Sequence, residues 1–202
     1  MRLFVALAPP PGPLGELDRA VAPLRADWPA LRWVGQERWH VTLAFLGEVA
    51  PDKMVGLGER LARAAGRHPS LSLRIGAAGA FPSAARARVF CAHITAGTQD
   101  LAGLRALAAS VAAGARRAGA PPPDEGRRYR PHLTLARSRE PSDLRALVQA
   151  LAGFAGSTWM TSQIHLVCSQ TGPATHYETI GTWPLRLPRP APQPRPQPQA
   201  RP

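Results

Sequence analysis

The sequence His40-Val41-Thr42-Leu43 returns in the second half of the chain as His132-Leu133-Thr134-Leu135. Each copy lies in an apolar run that predicts a β-strand. Because successive side chains of a strand point to opposite faces, the histidine and the threonine of each copy project from one face, and the apolar residues face a core. Two such strands can direct two imidazoles and two hydroxyls at one small anion. The pattern therefore provides a general acid, a general base and the hydrogen-bond donors that position a substrate.

A third match, His93-Ile94-Thr95-Ala96, has the same spacing but a different context. The first two copies continue with Leu-Ala and then, five positions after the histidine, with a residue suited to recognition, Phe45 or Arg137. His93 lacks this continuation. We therefore interpret His93 as a strand histidine inside or beside the binding cleft, and His40 and His132 as the candidate catalytic pair.

The length and composition favour one domain followed by a tail. A chain of 202 residues is long enough for one well-buried core, and no apolar stretch reaches the length of a membrane span. We predict a single domain over residues 1–187 and a disordered tail over residues 188–202, whose closely spaced prolines prevent helix and sheet formation. The N-terminal apolar run is too short for a signal peptide and predicts a first strand, so we expect a cytoplasmic protein. Cys91 and Cys168 fall in predicted strands, where we expect buried, reduced thiols.

The charge of the chain favours a polyanionic partner. The formal net charge is +12, and 25 basic residues include only one lysine, Lys53. Such a balance is typical of proteins that bind nucleic acid. An arginine excess together with abundant alanine, glycine and proline also follows from compositional bias of a genome. The charge therefore favours an RNA substrate without establishing one.

The period of the apolar residues predicts alternating strands and helices. The predicted strands are Arg2–Ala8, Trp39–Phe45, Leu71–Ala78, Arg88–Ala96, the strand around His132, Thr161–Ser169 and Thr175–Trp183, and the predicted helices are Leu14–Asp27 with an interruption near Pro23, Asp52–Gly66, Gln99–Gly119 and Ser142–Leu151. The strands outnumber those of a simple alternating parallel sheet. We therefore predict an α+β protein of two pseudo-symmetric lobes, each an antiparallel sheet with helices packed outside and one His-Thr strand, with the site in the cleft between them.

At this point the sequence resembles the two-histidine phosphoesterases, and among them the bacterial RNA 2′,3′-cyclic phosphodiesterases, which are also described as 2′-5′ RNA ligase-like. The resemblance extends to about Leu187. The sequence differs from the family at Tyr129, where phenylalanine is more frequent, and at Gly35, where proline is usual. Its motifs are Arg2-Leu-Phe-Val-Ala, Arg32-Trp33-Val34, the two His-Thr strands with Phe45-Leu46-Gly47-Glu48 and Arg130-Pro131 beside them, Gly79-Ala-Phe81-Pro82, Gly172-Pro173, Tyr177 and Trp183-Pro184-Leu185.

The resemblance implies hydrolysis of a terminal ribose 2′,3′-cyclic phosphate to a 2′-phosphomonoester, without a metal or other cofactor. Following the family, His132 is the base and His40 is the acid, which makes O3′ the leaving group. Thr42 and Thr134 donate hydrogen bonds to the non-bridging phosphate oxygens. Because a neutral and a charged imidazole must coexist, we expect a bell-shaped pH profile.

The family also suggests how the substrate is recognised. Arg137 adds a charge-assisted contact to the phosphate, and Phe45, its counterpart in the other lobe, offers a surface to the ribose or the base. Tyr177 falls on a closing strand that the family places near the cleft. We expect RNA with a 2′,3′-cyclic phosphate end or a small cyclic nucleotide as partner, no membrane, and a monomer.

Other functions remain open from the sequence. The same groups can catalyse reversible 2′-5′ ligation, and imidazoles, hydroxyls and arginines can also hold an RNA end without turnover. A zinc site is disfavoured, because a catalytic zinc needs three protein ligands and no carboxylate or cysteine accompanies either His-Thr motif at ligand spacing. We therefore predict no metal ligands in this chain.

Overall fold

The computed structural model describes residues 1–123, 128–170 and 176–187. In chain order, the strands are β1 (Arg2–Leu7), β2 (Arg32–Trp33), β3 (Val41–Glu48), β4 (Leu71–Phe81), β5 (Ala87–Thr95), β6 (His132–Ser142), β7 (Thr158–Thr161), β8 (Gln163–Gln170) and β9 (His176–Pro184). The helices are α1 (Pro11–Asp27), α2 (Met54–Arg67), α3 (Thr98–Arg117) and α4 (Arg145–Ala150).

The described strands form two antiparallel sheets, one for each His-Thr motif. The first sheet has the order β3-β1-β8-β9, and the second has the order β2-β6-β5-β4-β7. The strand β3 carries the first motif and β6 carries the second, and these two strands contact each other where the sheets meet. The predicted α+β class, with two antiparallel sheets and one motif strand in each, is confirmed.

One core joins the two lobes. The helix α3 contacts β3 of the first sheet and β4 of the second, and it also packs against α2. The predicted apolar positions of the motifs, Val41, Leu43, Leu133 and Leu135, are all buried in this core. Full burial of each such side chain contributes about 1.5–3 kcal/mol, so the register that exposes histidine and threonine to the cleft is strongly favoured.

A second, smaller apolar cluster lies on the other face of the first sheet. Phe4, Ala6 and Val167 form it, and Tyr177 packs against them. Their neighbours along β1 and β8, such as Val5 and Leu166, belong to the main core instead. Because β-strand side chains alternate, this second cluster marks the face of the sheet that carries His40 and Thr42. We call it the cleft face of the first sheet.

Several predicted boundaries are wrong. The helix α1 begins at Pro11 and continues through Pro23, where the sequence predicts an interruption. A proline at the first helical turn loses no hydrogen bond, and the complete burial of Leu17 and Val21 compensates for the bond that Pro23 removes. The helix α4 is shorter than the predicted Ser142–Leu151, because β6 continues to Ser142.

The strands also differ from prediction. The predicted strand Thr161–Ser169 corresponds to β8, which begins at Gln163, and the sequence predicts neither β7 nor the short edge strand β2. The strand β3 begins after His40 and extends to Glu48. Thr175 of the predicted last strand and the predicted tail over residues 188–202 lie outside the described residues.

Two further sequence expectations concern thiols and membranes. Cys91 and Cys168 are buried and free, which confirms the prediction of buried thiols. Of the helices in the described part of the chain, none has the length and apolar character needed to cross a membrane.

Candidate active site

The two motif histidines have the same hydrogen-bonding arrangement. Nδ1 of His40 lies 2.8 Å from the carbonyl oxygen of Arg38, and Nδ1 of His132 lies 2.7 Å from that of Arg130. A carbonyl oxygen can only accept, so Nδ1 of each ring carries the hydrogen and donates it. In the neutral form each ring therefore has its lone pair on Nε2. The backbone two residues before each histidine thus sets the tautomer that acid–base catalysis through Nε2 requires.

Aromatic rings flank both imidazoles. His40 stacks on Phe4, with ring centroids 4.5 Å apart and an interplanar angle of 26°. The ring centroids of His40 and Tyr177 are 5.4 Å apart in a T-shaped arrangement. His132 meets Phe81 at 4.9 Å in an edge-to-face arrangement. The structure therefore places Tyr177 beside His40. It also brings Phe4 and Phe81 into the site, which the sequence offers only as parts of short, individually weak family motifs.

Burial and nearby positive charge lower the pKa of both imidazoles. Burial lowers the pKa of His40 to about 4, with smaller contributions in the same direction from the charges of His132 and Arg137 and an opposing one from the hydrogen bond to the Arg38 carbonyl. Burial also lowers the pKa of His132, assisted by His93 and Arg137 and opposed by the hydrogen bond to Arg130. Arg137 acts on both rings, so its guanidinium lies within electrostatic reach of each. The charge pattern favours a bound anion.

The two threonines follow the histidines on the same strand faces. Thr42 and Thr134 are both partly exposed, whereas the residues before and after them are buried. The hydroxyl of Tyr129 donates a hydrogen bond of 3.1 Å to the carbonyl oxygen of Thr42. Burial raises the pKa of Tyr129, so this phenol stays protonated and remains a donor. The bond connects the segment before His132 to the strand β3 of the other lobe.

The residues five positions after the histidines differ between the lobes. Phe45 is 47% exposed and lies opposite Phe4 on β1, with ring centroids 6.0 Å apart. Arg137 is exposed on β6 and lies opposite Arg32 of the edge strand β2. Two like charges opposite each other are unfavourable without an anion nearby. One lobe therefore presents an apolar surface and the other a cationic one.

His93 lies beside the candidate catalytic pair. It is the direct cross-strand neighbour of His132, on β5 and β6 respectively. Its ring occupies the space over Gly79, where a Cβ atom would overlap it. Its ring centroid lies 6.4 Å from that of Phe81, with an interplanar angle of 85°. Burial and the charge of Arg130 lower its pKa. The expectation of a histidine inside or beside the cleft agrees with this position.

The donor set does not resemble a metal site. Among residues 1–123, 128–170 and 176–187, no three His, Cys, Asp or Glu side chains are grouped closely enough to hold a metal ion. The charged side chain that acts on both His40 and His132 is the guanidinium of Arg137, which repels a cation.

The fold and the site together define a class of protein. Two antiparallel sheets each bring one histidine, with its Nδ1 held by backbone and its Nε2 available, to a cleft that favours an anion. This is the arrangement of the two-histidine phosphoesterases.

Comparison with known families gives the narrower assignment. The family described as the 2′-5′ RNA ligase superfamily matches residues 9–173, and the chain therefore belongs to this superfamily.

Individual relatives agree with this assignment. The RNA 2′,3′-cyclic phosphodiesterase of Geobacillus stearothermophilus is 31% identical over 163 residues, which cover 78% of this chain and 48% of the relative. The chain thus spans about half the length of this relative.

Two solved structures share the fold over nearly their whole length. TT0787 of Thermus thermophilus has a TM-score of 0.70 and 26% identity, covering 94% of this chain and 100% of that chain. LigT of E. coli, complexed with 3′-AMP, has a TM-score of 0.68 and 27% identity, covering 91% of this chain and 97% of that chain.

Proposed function

We propose that this chain is a hydrolase that converts the 2′,3′-cyclic phosphate at an RNA end to a 2′-phosphomonoester. The observation that carries the proposal is the matched pair of histidines, His40 and His132, each with Nδ1 bonded to backbone and Nε2 available, in opposite lobes and near one guanidinium. The Geobacillus relative bears the name of this activity, and the E. coli structure contains a nucleotide, 3′-AMP. Both support a nucleotide phosphoester as the substrate.

The reaction uses one histidine on each side of the phosphorus. Nε2 of His132 takes a proton from a water molecule, whose oxygen attacks the phosphorus. The bond between phosphorus and O3′ breaks on the opposite side, and His40 gives its Nε2 proton to O3′. The products are a 2′-phosphomonoester and a free 3′-hydroxyl, with His132 protonated and His40 neutral. His132 then releases its added proton to water and His40 takes up a proton from water, which restores both histidines.

The other predicted residues act on the phosphate and the nucleoside. The hydroxyls of Thr42 and Thr134 donate to the non-bridging oxygens, on which charge grows during the attack. Arg137 stabilises the same charge by a charge-assisted hydrogen bond. Phe45 and Tyr177 provide aromatic surface for the ribose or the base.

Substrate binding has to protonate His40. In the free protein the pKa of His40 is about 4, so its ring is neutral near pH 7 and cannot act as an acid. A phosphate monoanion between the lobes offsets the charge of Arg137 and raises the pKa of His40. The proposed acid therefore acquires its proton when the substrate binds.

The first test follows the phosphorus directly. ³¹P NMR of a short RNA with a 2′,3′-cyclic phosphate end, incubated with the protein in EDTA, should show a 2′-phosphomonoester as the single product. His40→Ala and His132→Ala should abolish turnover. The control is His68→Ala, which should retain turnover, because His68 lies at the end of α2 and is hydrogen-bonded to Ser110. If wild-type protein leaves the cyclic phosphate unchanged but binds the RNA tightly, the protein is an RNA-end binding protein and not this hydrolase.

A second test separates the acid from the base. In a substrate with sulfur in place of O3′, the leaving group is a thiolate, which departs without protonation because a thiol is far more acidic than a ribose hydroxyl. Hydrolysis of this analogue should be restored in His40→Ala and should stay absent in His132→Ala. The opposite pattern would exchange the two roles, and restoration in neither variant would contradict acid catalysis by His40.

A further inference from the structure

A row of four residues crosses the whole first sheet at the level of the first motif. Thr42 on β3 lies opposite Ala6 on β1, Ala6 lies opposite His165 on β8, and His165 lies opposite Thr182 on β9. Directly opposite residues of antiparallel strands project from the same face. Ala6 belongs to the apolar cluster on the cleft face, so the row lies on that face.

The row provides a path from the proposed phosphate site to His165. Neighbouring strands are about 4.8 Å apart, which places the backbone of His165 about 10 Å from that of Thr42. Ala6 carries only a methyl group, so no long side chain of β1 stands between them in this row. A substrate bound at Thr42 can therefore continue across β1 to β8.

His165 and Thr182 form a polar pair on the cleft face of the first sheet. Nδ1 of His165 lies 3.2 Å from Oγ1 of Thr182, and Nε2 lies 3.5 Å from Nε2 of Gln163. His165 is only partly buried and Gln163 is exposed, so the groups are accessible to a ligand. Burial lowers the pKa of His165, which makes it a neutral hydrogen-bonding group. The amide of Gln163 can only donate to Nε2 of His165, so Nδ1 of His165 donates to Thr182 and orients its hydroxyl. The hydroxyl hydrogen of Thr182 and the second amide hydrogen of Gln163 then remain to donate to the oxygens of a singly charged phosphodiester.

The proposed chemistry determines on which side the RNA leaves the site. If His40 protonates O3′ and His132 activates the water, the ribose lies on the side of the first sheet. The strand β3 is an edge of this sheet, so a substrate can extend across strands only over β1, β8 and β9. Along this direction the nucleoside meets the apolar cleft face. The polar pair on β8 and β9 then lies where the next backbone phosphate is needed.

We propose that His165 and Thr182 form a second subsite that holds the phosphodiester on the 5′ side of the terminal nucleotide, so that the protein prefers an RNA end to a single cyclic nucleotide. This inference rests on the proposed function and names the substrate class of the same site. The two residues are substrate-binding residues and take no part in proton transfer.

The test compares two substrates in each variant. The substrates are adenosine 2′,3′-cyclic phosphate and the dinucleotide that carries one further adenosine on its 5′ side. Wild-type protein should show a higher kcat/KM for the dinucleotide. His165→Ala and Thr182→Val should each lower the ratio of the two kcat/KM values about 3- to 10-fold, the effect of one lost hydrogen bond.

Thr179→Val is the matched control. It changes a threonine on the same strand, β9, but opposite Val167 and outside the row, so the ratio should not change. A third substrate, the mononucleotide with an added 5′-phosphate, tests whether the phosphate is recognised. Wild-type protein should prefer it to adenosine 2′,3′-cyclic phosphate, and both row variants should lose this preference.

The outcomes distinguish this inference from the proposed function. If the mononucleotide is turned over and the ratio of the two kcat/KM values is the same in wild type, His165→Ala and Thr182→Val, the subsite is overturned. The proposed activity is then unaffected. A dinucleotide preference without any preference for the 5′-phosphate shows that a second nucleoside is bound and overturns the phosphate site. No turnover of any of these substrates by wild-type protein overturns the activity and the subsite with it.

Discussion

The pH dependence of hydrolysis should differ between the free protein and the substrate complex, because a bound phosphate changes the charge around His40. In the free protein, burial lowers the pKa of His40 to about 4 and also lowers that of His132 from 6.5. Below the lower of these values both rings are protonated and no base exists. Above the higher value both are neutral and no acid exists. The profile of kcat/KM, which reports the free protein, should therefore be a bell whose maximum lies below pH 6.5.

The size of the effect follows from the same value. At pH 7 a group with a pKa of about 4 is protonated in about one molecule in a thousand, and this fraction falls tenfold with each further pH unit. The phosphate raises the pKa of His40 in the complex, so the maximum of kcat should lie at a higher pH than that of kcat/KM. Both profiles come from initial rates of adenosine 2′,3′-cyclic phosphate hydrolysis between pH 4 and 9 at constant ionic strength. The two apparent pKa values of each bell-shaped profile describe the coupled pair of histidines and not either ring alone.

Arg137→Gln tests the electrostatic cause. Arg137 lowers the pKa of both imidazoles, so its removal should move the kcat/KM maximum to higher pH while it lowers the rate through the lost phosphate contact. His68→Ala removes a histidine outside the cleft and should leave the maximum in place. A wild-type kcat/KM maximum at or above pH 7, or coincident maxima of kcat and kcat/KM, would refute this reasoning.

Three further predictions follow from the site. Thr42→Val and Thr134→Val should each lower kcat about 10- to 100-fold with little change in melting temperature, because each removes one donor to the developing charge; equal losses in KM alone would contradict this role. The lowered pKa of His40 contributes stability that is complete above pH 6.5 and is lost as the pH falls towards 4, so urea unfolding of wild type should lose about 2–3 kcal/mol more than that of His40→Asn between pH 7 and 4.5. Gly79→Ala should destabilise the protein by about 1–3 kcal/mol because its Cβ overlaps the ring of His93, and the double variant with His93→Ala should recover most of this loss; additive losses would show that the two positions are independent.

The sequence predicts the motif strands well because their pattern has a local cause. Val41, Leu43, Leu133 and Leu135 alternate with polar residues and are buried, so the faces of β3 and β6 follow from the period of two alone. The pairing of His93 with His132 could not be predicted in this way. It depends on the register between β5 and β6, which includes a shift near Cys91 and is set by packing far away in the sequence.

The same limit applies to the aromatic residues of the site. Phe4 and Phe81 lie in apolar strands, where the period gives no reason to separate them from core residues. Phe4 is 3% exposed and resembles a core residue by burial as well, yet its ring stacks on His40. Only the order of the strands in the sheets brings these rings to the histidines. Local sequence therefore predicts which face a residue occupies, whereas its partners depend on topology.

The two lobes hold their histidines in the same way but place different side chains, one apolar and one cationic, five residues after them. Each bonds Nδ1 to a carbonyl two residues earlier and packs an aromatic ring against the imidazole. The difference lies five residues further on, where the first lobe has the apolar Phe45 and the second has Arg137. In the proposed complex, a phosphate drawn to Arg137 lies between the two rings and raises the proton affinity of both, including that of His40, whose pKa burial lowers to about 4. In the proposed mechanism, binding of the anion allows His40 to act as the acid while His132 acts as the base.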